Sequence, residues 1–308
     1  MRIFSPSLRG YVASLGEEAL IAAIRRWLGT ASPSAPYGMG DDCAVLPASR
    51  RRQLITVDPV IHGVHFDDRT PPGSAGAKLF KRNLSDIAAM GGRPRAAVVA
   101  LALDGRVDVA WLAAFHRGLA AESRRHRVPI VGGDIARLPG GFVATLALTG
   151  DAPRRILTRR GARPADRIYV TGELGRSFPS GHHHRFQPRL AEGAWLSRRA
   201  EVRALIDVSD GLAKDLRALA PKGSEPWIDA AALPLRRGAT VREALCDGED
   251  YELLFAVAGG SNGAGLERAW RLAFPSTRLT CIGCFGRAGA APRGGLRLGT
   301  LRGYEHLR

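Results

Sequence analysis

Cysteine is scarce: the 308 residues hold four, Cys43, Cys246, Cys281 and Cys284, too few and too unevenly placed for a disulfide framework. Cys281-Ile-Gly-Cys284 has the spacing of a redox or zinc pair. With no second pair to complete four ligands, and inside an apolar run from Leu279, it reads as part of a strand. No apolar stretch is long enough to cross a bilayer, and residues 1–10 lack a charged-then-apolar leader pattern, so a cytoplasmic location is expected. The common phosphate cradles are absent as well. There is no G-x-x-x-x-G-K-[ST], and no G-x-G-x-x-G opens a helix after a strand, so a bound nucleotide would be held mainly through metal ions and arginines.

Lysine is the other shortage. Only Lys78, Lys81, Lys214 and Lys222 occur among 45 basic residues; the rest are arginine. The net charge of +16 would attract a phosphate backbone. The arginines are dispersed from Arg50-Arg51-Arg52 to Arg236-Arg237, however, as a composition bias would leave them. A nucleic-acid-binding module is therefore the least favoured reading. Hydrophobic residues at 45% and charged residues at 24% are ordinary for a globular chain, and the length fits two domains, taken as 1–150 and 151–308 around Ala152-Pro153-Arg154-Arg155.

The pattern predicts alternating strands and helices. Leu20, Ile24, Trp27 and Leu28 mark a first helix ending at Gly29. Strand-like runs follow at 43–46 and 54–58, then a helix over about 75–90 closed by Gly91-Gly92. Apolar runs at 97–103, 129–131 and 142–148 read as strands, with a helix carrying Leu112, Phe115 and Leu119 between the first two. The second half repeats the theme: strands at 167–171, 252–257 and 279–284, helices around Leu212, Leu216 and Leu219 and around 266–272. The stretch 177–188, with His182-His183-His184, is expected to be a solvated loop. The fold class is α/β (α+β), in two domains.

Aspartates recur at glycine-flanked strand ends. Gly40-Asp41-Asp42 precedes an apolar run, Asp58 closes Leu54-Ile55-Thr56-Val57, Gly132-Gly133-Asp134 closes Pro129-Ile130-Val131, and Asp207 and Asp210 bracket Val208-Ser209; Asp86 lies on a helix three residues after Asn83. Each alone is explained as a cap or turn residue. Together they raise a different prospect. Two such charges 4 Å apart repel by about 4 kcal/mol at an effective dielectric near 20, so convergence would require a cation. Oxygen-only ligands select Mg²⁺, which retains waters and bridges to phosphates.

With those residues in hand, the sequence resembles the thiamine-monophosphate kinases, relatives of aminoimidazole ribonucleotide synthetase and selenophosphate synthetase. The matching runs are Gly38-Met-Gly-Asp-Asp-Cys-Ala-Val45, Thr56-Val-Asp58 with Gly63-Val-His-Phe66, Asn83-Leu-Ser-Asp-Ile-Ala-Ala-Met-Gly91, Val131-Gly-Gly-Asp134, Leu157-Thr-Arg-Arg-Gly-Ala162, Ile206-Asp-Val-Ser-Asp-Gly-Leu212 and Gly248-Glu-Asp-Tyr-Glu-Leu-Leu-Phe255. The resemblance implies an N-terminal mixed sheet with helices that pairs with its twin in a homodimer, binding ATP and Mg²⁺, and a C-terminal α/β sandwich domain that closes over the ligands. It implies transfer of the ATP γ-phosphoryl group to thiamine monophosphate. By position, Asp42, Thr56, Asp58, Asp86, Asp134, Asp207 and Asp210 would hold Mg²⁺; Gly133, Asp134, Arg159 and Ser209 would bind ATP; His65, Glu249 and Tyr304 would touch the thiamine substrate. Asp58, Asp134, Arg159 and Asp210 are the candidate catalytic residues. The sequence departs from the family pattern at Val57, Ile135-Ala136, Asp247 and Arg176-Ser177, which leaves a superfamily enzyme with a different acceptor as the alternative.

Overall fold

The structure, a computed structural model, describes residues 1–40, 43–288, 296, 298, 299 and 301–305. In chain order the principal elements are α1 (Glu17–Leu28), β1 (Gln53–Ile61), α2 (Pro72–Ala89), β2 (Arg93–Leu103), α3 (Val109–His126), β3 (Ile130–Arg137), β4 (Phe142–Asp151), β5 (Arg167–Thr171), α4 (Ser177–Ser180), α5 (His182–Arg185), α6 (Leu190–Leu196), β6 (Val202–Asp207), α7 (Leu212–Leu219), β7 (Ser224–Ile228), α8 (Val241–Cys246), β8 (Leu253–Val257), α9 (Gly263–Ala273) and β9 (Leu279–Arg287). They form two compact units: Met1–Leu84 with Pro94–Asp151, and Ser85–Arg93 with Ala152–Arg308. The last turn of α2 thus counts with the second unit.

The first unit is built on a four-stranded mixed sheet in the order β1-β4-β2-β3, with β1 antiparallel to β4 and β2 parallel to β3. Every second residue of β4, from Phe142 to Gly150, is buried, so one face of the sheet is covered and the other is more open. The covered side holds an aromatic cluster. Trp111 stacks on Phe115 at 5.5 Å and meets Phe142 edge-on at 5.0 Å, and Phe66 stacks on Trp111 at 5.8 Å. Each such buried side chain contributes about 1.5–3 kcal/mol relative to exposure. Helix α3 is fixed at its start by Asp108, whose carboxylate accepts from the Trp111 amide at 2.8 Å.

The second unit carries a five-stranded sheet, β6-β8-β5-β9-β7, in which every neighbouring pair runs antiparallel. Helix α7 packs Leu212, Leu216 and Leu219 into a core with Ile206, Leu254 and Phe285, and a second cluster gathers Tyr169, Phe255 and Trp270. The chain is therefore mixed α/β, and its C-terminal half is of the α+β kind, since alternating strands and helices there do not produce a parallel sheet.

Three local expectations fail for identifiable reasons, and one strand goes unread. The apolar run 43–46 forms no strand; Val45 and Leu46 are 52% and 45% exposed, and among the described residues no partner strand receives them. Strand β3 does not end at Gly132 but continues through Asp134 to Arg137, because its parallel ladder with β2 runs on to Leu103. Strand β7 hides from the sequence behind Pro226, a residue tolerated there because β7 is an edge strand. The histidine triplet is not a solvated loop: it forms the one-turn helix α5, and His183 is 3% exposed. The pair Cys281 and Cys284 lies, as expected, in strand β9.

Candidate functional site

Asp42 lies outside the described residues. In the first unit, Thr56 and Asp58 occupy alternate positions of β1, opposite Leu148 and Leu146 of β4, and so share one face of the sheet. Arg82 of α2 fixes this end of the strand, donating to the Pro59 carbonyl at 2.6 Å and sitting 3.6 Å from the Asp58 carboxylate. Ile55 and Val57 point to the opposite face and are 79% and 60% exposed. Gly133 lies in the interior of β3, where a Cβ would stand 2.1 Å from the Val99 carbonyl oxygen, so no side chain fits. Asp134 follows it on the same edge strand and is exposed. His65 is buried in the turn after β1. Its Nδ1 accepts from the Ile61 amide at 3.2 Å, which puts the ring proton on Nε2, and its carbonyl accepts from the buried Lys78 ammonium at 2.7 Å.

The second unit holds the other acids. Ser85 donates its hydroxyl to Asp207 at 2.6 Å, which brings the last turn of α2, and with it Asp86, onto the end of β6. Two loops are then stitched together. The Glu249 amide donates to the Ser209 carbonyl, the Tyr251 amide to the Val208 carbonyl and the Val208 amide to the Glu252 carbonyl, each at 2.8 Å. The second loop is unusual in its backbone: Gly248, Glu249 and Tyr251 all have positive φ, at 73°, 54° and 52°. Non-glycine residues in that region cost on the order of 1 kcal/mol each and persist only where the surroundings over-determine them. The C-terminal segment joins the same place. The Tyr304 amide donates to the Asp210 carbonyl at 2.8 Å, and Lys214 both donates to the Tyr304 carbonyl at 2.8 Å and pairs with the Asp210 carboxylate at 2.7 Å. Arg159 lies in an exposed turn whose Thr158 carbonyl accepts from the Leu205 amide of β6 at 3.2 Å.

Sequence reasoning missed several acids and bases of this unit. Asp215 accepts from the Asp210 amide at 3.2 Å; burial, with Asp207 and Asp210 close by, pushes its carboxyl up to about 8. Its signal was present, since 212, 215, 216 and 219 form one helical stripe with an acid inside it. Asp250 is fully buried and raised to about 6 by burial, against the pull of Arg236 at 2.9 Å; it also accepts from Ser177 at 2.7 Å and from the Gly175 amide at 3.1 Å. Half-buried Arg189 and buried Glu252 form a second pair, joined by bonds of 2.7 and 2.6 Å. No sequence pattern announces either pairing.

Among the described residues, no three His, Cys, Asp or Glu side chains form a ready metal cage. The donor chemistry nonetheless fits Mg²⁺. The grouped acids offer oxygen alone, and the crowding of Asp207, Asp210 and Asp215 is what a divalent ion relieves; Mg²⁺ typically takes one or two carboxylates and completes its shell with water and phosphate.

Residues 40–152 match the family described as AIR synthase related protein, N-terminal domain. The chain is 35% identical over 299 residues to the thiamine-monophosphate kinase of Salmonella typhimurium, covering 87% of this chain and 90% of that one. It is similar to the crystal structure of thiamine-monophosphate kinase from Stenotrophomonas maltophilia K279a, with a TM-score of 0.73 and 30% identity over 89% of this chain and 95% of that one. A third similarity is to the structure described as AaThiL complexed with AMPPCP and TMP, with a TM-score of 0.71 and 26% identity over 98% of this chain and 99% of that one.

Proposed function

The chain belongs to the thiamine-monophosphate kinase family, and from that premise we propose that it transfers the γ-phosphoryl group of ATP to thiamine monophosphate, giving thiamine diphosphate and ADP. The observation that supports this reading most is the stitching of the Asp207–Asp210 loop to the Gly248–Tyr251 loop, which collects acids, Ser209, Glu249 and Tyr304 in one small region of the second unit. On this reading Asp42, Thr56, Asp58, Asp86, Asp134, Asp207 and Asp210 would hold Mg²⁺. Gly133, Asp134, Arg159 and Ser209 bind ATP, and His65, Glu249 and Tyr304 contact the thiamine moiety. When bound, Mg²⁺ supplies neutralisation of two polyanions that would otherwise repel.

The protein's own share of the work is positioning and charge. The acceptor is a phosphate with a second pKa of about 6, largely ionised near pH 7, so no strong general base is required and transfer is direct. Gly133 keeps β3 close to β2, because the Val99 carbonyl oxygen stands where a Cβ would be, and this fixes the position of the Asp134 that follows it. Arg159 is free of a strand's constraint in its exposed turn and stabilises the transferring group. The first unit is the ATP-binding and dimerisation domain. Exposed Ile55, Val57 and Val98 supply the apolar surface on which a homodimer forms. No helix among the described residues is long and apolar enough to cross a membrane; a cytoplasmic location belongs to the proposed reading as a biosynthetic kinase.

The test is purified protein with ATP, Mg²⁺ and thiamine monophosphate, followed by chromatography of the products. ADP and thiamine diphosphate should appear in equal amounts, and chelation by EDTA should stop both. ADP release that ignores thiamine monophosphate, or that requires a different acceptor in a substrate panel, would overturn the assignment.

A further inference from the structure

We propose that His183 positions the Glu249 carboxylate, and thereby sets how tightly the heterocyclic end of the acceptor is held. The inference rests on the reading of Glu249 as an acceptor contact. Its starting point is a residue the sequence placed in solvent and the structure places in the interior. The His183 side chain is 4% exposed, and its Nδ1 stands 3.4 Å from Glu249 Oε2.

The surroundings hold that imidazole in place. Phe178 stacks on it with ring centroids 4.0 Å apart and an interplanar angle of 18°, and the His184 ring lies 3.5 Å away. The other carboxylate oxygen has its own partner, because the Tyr251 hydroxyl donates to Glu249 Oε1 at 3.5 Å. Tyr251 is stacked in turn on Phe186, at 4.0 Å and 19°. Each oxygen of Glu249 is therefore met by a ring that an aromatic neighbour from the α4–α5 segment braces. His182 ties the same segment down, with Nε2 3.0 Å from the Asp250 carbonyl oxygen.

This bracing matters because the backbone under Glu249 is in the left-handed region, at φ 54°, while its side chain remains 15% exposed. A carboxylate that reaches a ligand from a strained turn is only as selective as its orientation, and ordering it in advance removes that entropy from binding. Thiamine carries a cationic thiazolium and an aminopyrimidine, both of which a fixed carboxylate recognises. Those rings are remote from the transferring phosphorus. An interaction with them is made equally in the ground and transition states, so it governs KM for the acceptor and leaves kcat alone.

The experiment compares His183→Phe, which keeps the stacking ring and removes the nitrogen, with His183→Asn, which keeps a nitrogen donor near the Nδ1 position and removes the ring. We expect His183→Phe to raise KM for thiamine monophosphate about tenfold, with kcat and KM for ATP within about twofold of the parent, and His183→Asn to recover most of the loss. A purely structural histidine gives the opposite order, with the ring-preserving variant the healthier one, and that order overturns the proposal. So does an unchanged KM in His183→Phe, or a fall in kcat parallel to the rise in KM. Should His183→Phe fail to fold, Phe178→Ala serves instead, because Phe178 is half-exposed; loosening the braced imidazole should raise the same KM about threefold, and no change there is equally fatal. Glu249→Gln, measured alongside, separates the two levels. If it leaves the acceptor KM unchanged, the acceptor-contact role of Glu249 falls; if it raises KM while His183→Phe does not, only the positioning role does.

Discussion

The two units present their acids in different ways. In the first, Thr56, Asp58 and Asp134 sit inside regular strands, where the ladder and the alternation of faces decide their direction. In the second, Asp207, Asp210 and Glu249 sit at the end of a strand or in loops held by three cross-loop hydrogen bonds and a backbone with repeated positive φ. A strand holds a side chain without backbone strain but cannot aim it freely. A loop can aim it, and depends on buried partners such as Arg236 and Asp250 to hold the aim. Removal of a strand acid should therefore harm chemistry and spare the fold, whereas damage to the loop supports should harm both.

The largest effect expected is at Asp58. Asp58→Asn should lower kcat about 10³-fold, equivalent to about 4 kcal/mol of barrier, with the unfolding midpoint in urea nearly unchanged. A comparable loss of stability would show that the strand does not hold its acid independently of the fold. Next comes Arg236→Met, which leaves Asp250 buried without its partner and should destabilise the protein by about 3–5 kcal/mol in urea unfolding, with activity lost at the same time. The double variant Arg236→Met/Asp250→Asn should recover part of that stability. If Arg236→Met is neutral, the pair does not support the loop.

A pH experiment probes the first unit. Burial holds His116 down to about 4, from an ordinary value of 6.5, and Nδ1 lies 2.9 Å from the Leu112 carbonyl oxygen. The unfolded chain then binds more protons than the folded one between these two values. Stability is full above about pH 6.5 and declines as pH falls toward 4, by on the order of 3 kcal/mol in total. His116→Gln should flatten that dependence in denaturant titrations at pH 7, 5.5 and 4; an unaltered slope would exclude His116 as its source. The smallest effect is expected at Gly248, where φ is 73° and a Cβ would lie 2.7 Å from the Ser209 carbonyl oxygen. Gly248→Ala should cost about 1–2 kcal/mol of stability and weaken acceptor binding. A change in kcat alone would contradict the view that this loop serves binding.

The contrast between the units also explains what the sequence made legible. The apolar runs that became β1, β2 and β4 were readable because one face of a sheet was paired and covered, α1 and α3 because of their apolar periodicity, and α2 because of the Gly91-Gly92 stop after it. The strand at 43–46 was read from composition alone and failed for want of a partner. The acids stood out because they are charged residues interrupting apolar runs. Their supports did not. Arg236 and Asp250 are fourteen residues apart, and Arg189 and Glu252 sixty-three, with no local pattern to join them. His182-His183-His184 was misread because three polar residues look like surface until Phe178 and Phe186 are seen to pack on the segment.

Among the described residues strand β3 is the outer strand of its sheet, and it carries Asp134 and Arg137 along that margin. An outer strand with a bare backbone invites a foreign strand to add to it, and charges on such a margin make that addition unfavourable. If Asp134 is needed for metal and nucleotide, the same carboxylate also protects the sheet from growing. Asp134→Val would then be doubly harmful, removing a ligand and exposing a seam for aggregation, whereas Asp134→Asn would remove the ligand and keep much of the polarity that guards the margin.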